Sequence, residues 1–182
     1  TVTINSTTVT IAGLRISEAL ALDLGVGVDD PGAGRVRDSR GLPSAAVSPS
    51  GEIFVVWQDA RFSQGAWDGI ALSSSRDGGM TWSEPVRINA RGDVPAFGPT
   101  IAIRPDGTIG VSYFDLRAAS ATGPLTTTYR LATSVDGKYW RESGIESAFD
   151  ITQAPFANGW FIGDYHGLIG RGTSFGALYA RV

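Results

Sequence analysis

Two pentapeptides of this chain carry the same chemical groups in the same order. Trp57-Gln58-Asp59-Ala60-Arg61 and Tyr113-Phe114-Asp115-Leu116-Arg117 both read aromatic-x-Asp-x-Arg, and Tyr179-Ala180-Arg181 repeats the pattern without the acid. Alternate side chains of an extended strand share a face, so ring, carboxylate and guanidinium project together. Two chemistries fit. The Asp and Arg form an ion pair that ties a loop to its strand, or they line a rim facing a polar ligand, where Arg suits bidentate capture of a carboxylate. The densest polar and aromatic stretch lies further on, at residues 149–156 and 159–168. There Gly163 and Gly167 flank Asp164-Tyr165-His166, and glycine on both sides lets the backbone turn sharply and present the three side chains. His166 suits a general acid/base or a hydrogen-bonded loop residue; nothing adjacent in sequence sets its tautomer. Trp57, Trp67 and Trp160 suit sugar-stacking platforms or packing between elements.

Such residues need strands to hold them. Ser44-Ala45-Ala46-Val47 reads as a small-residue strand and Pro49-Ser50-Gly51 as its turn. Ile53-Phe54-Val55-Val56-Trp57 then reads as a strand covered on both faces. Residues 69–75 make a third strand and 82–88 a fourth. Between them stands Ser75-Arg76-Asp77-Gly78-Gly79-Met80-Thr81-Trp82, an S-x-D-x-G-x-x-W turn in which Asp-Gly supplies positive φ and the Trp buries a large face. The set returns at 100–103, 105–107, 109–114 and 129–134. Its turn, Ser134-Val135-Asp136-Gly137-Lys138-Tyr139-Trp140, is one residue shorter, and Trp140 opens the last strand. Gly51 to Gly107 is 56 residues and Asp77 to Asp136 is 59, so three extra residues fall around 118–128. A third copy starts with a strand at 161–169, a turn at 170–172 and a strand at 175–180.

These spacings predict an all-β chain, a partial β-propeller of four-stranded antiparallel blades. The units are 1–41 (strands of a preceding blade, at 2–4 and 8–12, and a connecting loop), blades at 42–96 and 97–149, and an incomplete blade at 150–182. Two whole blades plus parts of two others do not close a ring of four to eight, and open strand edges invite pairing. The expected partner is therefore an upstream half of the propeller or a second chain.

Composition narrows the chemistry. A net charge of −3 argues against a nucleic-acid partner. Zero Cys removes disulfides and thiolate chemistry, and a single His removes multi-histidine metal sites, so neither metal nor cofactor is expected. No apolar run has the length of a membrane span, the 24 glycines suit many short strands, and the one helix-like stretch, 16–24, lasts barely two turns. No signal peptide is visible at Thr1; either processing has removed it or the chain begins partway through a longer protein.

The two turns resemble the Asp-box, or bacterial neuraminidase repeat, and residues 36–182 resemble sialidase-like β-propellers. Phe161-Ile162-Gly163-Asp164-Tyr165-His166-Gly167-Leu168 is similar to their Phe-x-Gly-Asp-Tyr-x-Gly-Leu segment. Pro43-Ser44-Ala45-Ala46-Val47 and Trp57–Arg61 match two further motifs. The resemblance implies a secreted, extracellular or periplasmic, carbohydrate-active hydrolase of the exo-α-sialidase type, acting on a glycan. The alternative is a non-catalytic propeller that binds glycan or protein. Sialidases use a Tyr nucleophile because their substrate is an anion. The family adds a Glu that activates the Tyr, an Asp acid and three Arg on the substrate carboxylate. Partial matches are Tyr165 or Tyr113 as nucleophile, Asp59, Asp115 or Asp164 as acid, and Arg61, Arg117 and Arg171 as guanidiniums, with His166 and Trp160 against the sugar. The family's Arg-Ile-Pro motif is absent, and Arg40-Gly41-Leu42-Pro43 has the wrong spacing, so this chain is expected to carry part of a site. The turn residues Ser75, Asp77, Gly79, Trp82, Ser134, Asp136, Gly137 and Trp140 are expected to be structural.

Overall fold

Short apolar runs punctuated by glycine turns favour strands. The computed structural model describes residues 36–37, 42–119 and 124–182, and the backbone of four short strands before them. Among the described residues it holds strands, two short 3-10 turns and no α-helix. β1 (Val2–Ile4) pairs with β2 (Thr7–Val9), and β3 (Asp29–Asp30) with β4 (Gly34–Arg35). The expected strand end at 10–12, the helix-like stretch 16–24, the turn residues Pro31 and Gly32, Arg40-Gly41 and the centre of the three-residue insertion all lie outside the described residues.

Two larger antiparallel sheets follow. The first runs β5 (Ser44–Val47), β6 (Ile53–Asp59), β7 (Gly69–Ser75) and β8 (Val86–Arg87) in chain order. In the second, β9 (Ala96–Ile103), β10 (Ile109–Asp115), β11 (Thr126–Ser134) and β12 (Arg141–Gly144) repeat that order, with β13 (Phe149–Asp150) added on β11. A two-stranded hairpin, β14 (Gly167–Arg171) with β15 (Ser174–Leu178), completes the chain. The first turns of the two sheets are copies. Gly51 and Gly107 take φ of 85° and 84°, and matching backbone bonds close each turn, Gly51 N–H to Ser48 and Gly107 N–H to Arg104, both at 2.9 Å. Register repeats too: Ile53 faces Ser75 and Asp59 faces Gly69, while Ile109 faces Ser134 and Asp115 faces Thr128. Both sheets therefore have a glycine-turn end and, opposite it, an aspartate end.

Strand alternation sorts the core into layers. Phe54 and Val56 point toward the second sheet and join Ile101, Ile109, Val111 and Tyr113, whereas Val55 and Trp57 face the other way with Ala71. Phe114, on the opposite face of β10, gathers Phe97, Tyr129, Phe149 and Ile162 into a second core. A fully apolar strand is thus one covered on both sides. The fourth strand is shorter than the run 82–88 because Pro85 has no N–H to give a ladder; Ser83 and Ile88 still bond to Ser74 and Ile70 carbonyls. β9 starts at Ala96, earlier than the expected Thr100. It crosses a bulge in which Gly98 (φ 62°) and Pro99 stand opposite Tyr113. β14 starts only at Gly167, since residues 155–161 fold back on themselves through the Phe161 N–H to Pro155 carbonyl bond.

Candidate functional site

At the aspartate end the two pentapeptides fold alike. Asp59 is fully buried and accepts from the Trp57 indole at 2.8 Å, the Arg61 backbone at 2.8 Å and the Arg61 Nε at 2.7 Å. It caps the 3-10 turn Ala60–Ser63, and the Arg61 guanidinium lies 5.9 Å from the Trp57 ring centre. Asp115 takes Arg117 Nε at 2.6 Å and the Thr128 hydroxyl. Ring, acid and guanidinium therefore do share a side, and in both copies the carboxylate is spent on its own Arg.

The second copy extends into a network that the sequence does not reveal. Glu142 on β12 lies 2.6 Å from Arg117 and 3.1 Å from Arg130, accepts the Ala90 N–H at 3.0 Å, and receives the Tyr113 hydroxyl. Ala90 precedes the second sheet, so this carboxylate stitches the segment that follows the first sheet to the outer strand of the second. Burial opposes ionisation of Glu142, but the Tyr113 hydroxyl, the Ala90 N–H and Arg117 outweigh it and hold its pKa below the ordinary value. Tyr113 beside Glu142 has the make-up of an activated phenol. Burial and then the adjacent carboxylate instead push its pKa far above the usual value, and it is fully buried. Tyr113 acts here as a donor that holds Glu142.

The segment between Gly163 and Gly167 is different. Gly163 takes φ 103°, and Tyr165 projects into solvent with 88% of its surface exposed. Asp164 lies 3.7 Å from Arg37 Nη2, and the same guanidinium covers the Phe161 ring at 4.2 Å and donates to the Ala157 carbonyl at 3.4 Å. Residues 155–161 hold Phe156 against Trp160 edge to face at 5.0 Å, with Phe156 exposed. Arg37 thereby joins an aromatic turn to an acid. His166 turns inward, edge to face with Phe114 at 4.9 Å, and its Nδ1 is buried without a hydrogen-bond partner among the described residues. Burial lowers its pKa, against the Gly163 backbone and Asp164.

Behind His166 lie two buried residues that the motifs did not single out. Gln58 donates to Asp68 at 3.2 Å and accepts the Gly98 N–H at 3.1 Å, and a Cβ at Gly98 would sit 3.5 Å from the His166 ring. The only sequence hint was their position, Gln58 inside the first pentapeptide and Asp68 just before β7. Arg171 stands apart from Arg61 and Arg117. It ends β14 beside Gly170, whose missing Cβ leaves room for the Ile103 carbonyl, so it sits at the glycine-turn end. Among the described residues no group of three His, Cys, Asp or Glu is placed to hold a metal.

The two S-x-D turns lie at the glycine-turn end as well. Asp77 accepts the Met80 and Thr81 N–H groups at 3.0 and 2.9 Å and the Ser75 hydroxyl at 2.8 Å, while Ser75 takes the Gly79 N–H. Asp136 and Ser134 repeat this with Lys138, Tyr139 and Gly137. The Trp82 indole donates to the Gly79 carbonyl at 3.1 Å, whereas the Trp140 indole, in the shorter turn, finds no partner among the described residues. The Thr81 side chain, then its backbone, bring the Asp77 pKa from 3.8 to about 2. A depressed carboxylate stabilises above its unfolded pKa, and that contribution is lost as pH falls through the folded value. The difference in melting temperature between the wild type and Asp77→Asn should therefore be constant above pH 5 and shrink between about pH 4 and 2, as thermal scans across that range would show. A difference independent of pH would contradict the assigned bonds.

No family model matches the chain, and no curated protein does. Among solved structures it is similar to Hadza microbial sialidase Hz136, at 20% identity over 61% of this chain and 25% of that one, with a TM-score of 0.42. It is also similar to the Yersinia pseudotuberculosis TcaA-TcaB structure, at 11% identity over 76% of this chain and 8% of that one, with a TM-score of 0.44. The chain thus spans a quarter of the first protein and a small fraction of the second.

Proposed function

We propose that this chain is part of a sialidase-like β-propeller that binds a terminal sugar of a glycan at its aspartate end. The observation that carries this is the Arg37 bridge, which sets an aromatic turn, with Phe156 exposed and Trp160 half-buried, beside Asp164 and the outward Tyr165. Aromatic faces with a few polar groups at their edge are what a sugar ring needs, apolar C–H faces over rings and hydroxyls to charged groups. Asp59 and Asp115 are structural in this reading, since Arg61 and Arg117 consume them. The protein acts outside the cytoplasm, where glycans are; among the described residues no helix is long and apolar enough to cross a membrane.

Glycoside hydrolysis is the second reading, favoured by one observation: an acid, Asp164, directly precedes an exposed phenol, Tyr165, in the chain. The missing guanidiniums and the remaining strands then come from an upstream segment or a second chain. One feature supports such a partner: the hairpin β14–β15 leaves Ile169 and Leu178 exposed on its outer face.

Full-length protein on a glycan array, followed by a fluorogenic sialoside assay, separates the readings. Binding without release of fluorophore is expected, weakened about ten-fold by Tyr165→Ala or Arg37→Ala, a loss of about 1.4 kcal/mol. Release abolished by Tyr165→Phe would establish the hydrolase. Absence of both binding and release would overturn the glycan reading.

A further inference from the structure

Asp164 and Tyr165 face Arg37 and solvent, whereas the next side chain, His166, turns into the second core. Its ring stands edge to face with Phe114 at 4.9 Å and lies 6.4 Å from the Tyr129 ring. A Cβ at Gly98 would meet its Cδ2 and Nε2 at 3.5 and 3.6 Å, so only a glycine leaves the slot this wide. Nδ1 is buried with no hydrogen-bond partner among the described residues. The slot therefore suits a neutral imidazole. An imidazolium carries two N–H donors and a charge, and both are costly in an apolar site without an acceptor.

The titratable groups that face this slot are engaged elsewhere. On its own segment, Asp164 pairs with Arg37 at 3.7 Å. From β11, the Tyr129 hydroxyl donates to Ser112 at 2.9 Å, and burial pushes its pKa up to about 12. Beyond β15, Tyr179 stacks on Tyr129 at 4.2 Å and adjoins Glu146, which pairs with Arg181 at 3.2 Å. Behind Gly98, Gln58 on β6 holds Asp68. Phe114 on β10 carries no charge. Burial holds the imidazole below its ordinary pKa of 6.5, outweighing the Gly163 backbone and Asp164.

What keeps the ring in place also places the outward groups. The Thr100 hydroxyl on β9 donates to the His166 carbonyl at 3.1 Å. On either side lie Gly163, at φ 103°, and Gly167, where β14 begins. Asp164, Tyr165 and His166 thus share one short span between two glycines, a ready pair of pivots. A swing of that span that frees the ring also takes Asp164 off Arg37 and re-aims Tyr165.

We propose that His166 is a proton-operated latch: neutral, it holds the span 163–167 against Phe114, and protonated, it releases that span and dismantles the Arg37–Asp164 face. The consequence for ligand, release in acid, rests on the glycan reading above; the movement does not. A histidine whose folded pKa is lowered favours the inward state above the ordinary 6.5, and that preference is lost progressively as pH falls below it. One proton is involved, so the steepest loss of affinity is about ten-fold per pH unit.

The test is NMR of full-length protein between about pH 8 and 5, reading the imidazole of the single histidine and the amides of residues 163–167. The imidazole should titrate with a midpoint below 6.5, and the amides should change with the same midpoint. In His166→Phe, which keeps an aromatic ring in the slot, the amides should stay still; His166→Leu is the second variant, for a slot too tight for the larger ring. Affinity for sialyllactose should fall in the wild type over the same range and hold level in the variant. A midpoint at or above 6.5, amides that stay still while the imidazole titrates, or amides that shift equally in both variants would each overturn the latch. Level affinity in the wild type while the span moves would overturn its coupling to the ligand site. Moving amides with no sialyllactose bound at any pH would uphold the latch and count against the glycan reading instead.

Discussion

Glu142→Ala should destabilise the protein by about 3–5 kcal/mol, the usual cost of removing one partner from a buried charge cluster. The carboxylate is nearly buried, and its loss leaves Arg130 and the Tyr113 hydroxyl without their acceptor and Arg117 with Asp115 alone. It also deprives the Ala90 N–H of its acceptor, loosening the link across the sheets. Glu142→Gln keeps the shape and can still accept from Ala90 and Tyr113, but no longer balances two guanidiniums, so it should fall between the two. Urea unfolding measures both. Asp93→Asn breaks the exposed Arg91–Asp93 pair and is the control, expected to leave the midpoint unchanged. A Glu142→Ala variant as stable as that control would show that the network is incidental to the fold.

Phe114→Ala should cost about as much, 3–5 kcal/mol, the range for a buried Phe truncated to Ala. Its ring touches Phe97, Tyr129, Phe149 and Tyr179 as well as His166, so the cavity opens in the centre of the second core. A second consequence follows from the imidazole. Burial lowers the His166 pKa, so removing the ring beside it should let that pKa rise toward the ordinary 6.5. Proton NMR reads the shift directly, because the chain has one histidine. Phe114→Leu keeps enough core to fold and should show a smaller rise. A pKa unmoved in both variants would mean that burial of His166 comes from elsewhere.

The strands were legible because glycine and the S-x-D turns punctuate them, and because both mechanisms are local. Gly51 and Gly107 must take positive φ, and the Ser and Asp oxygens need only N–H groups up to four residues away. The same locality made the Asp59–Arg61 and Asp115–Arg117 pairs readable. Glu142 was not readable. Its partners lie 12 to 52 residues away on three other segments, and nothing around Arg141–Gly144 announces them. Arg37 escaped for the same reason, since its use depends on where the turn at 155–161 arrives. Arg171 is a different case. Its neighbours Gly170–Gly172 are, in the sequence repeat, the counterpart of the turn at Gly51, and that turn lies at the far end of the strand from Asp59. Its separation from Arg61 was implicit in the repeat. The bulge at Gly98 and the shortened fourth strand show tertiary context and proline overriding a plain alternating pattern.

The two sheets are alike at one end and unlike at the other. The turns at Gly51 and Gly107 agree to within a degree of φ, whereas the connections after Asp59 and Asp115 differ by three residues and in shape. The larger difference thus falls at the aspartate rim, three residues against the one that separates the two S-x-D turns at the other end. A protein engineer can treat that rim as replaceable, grafting new loops after each aspartate while the opposite turns keep every strand in register.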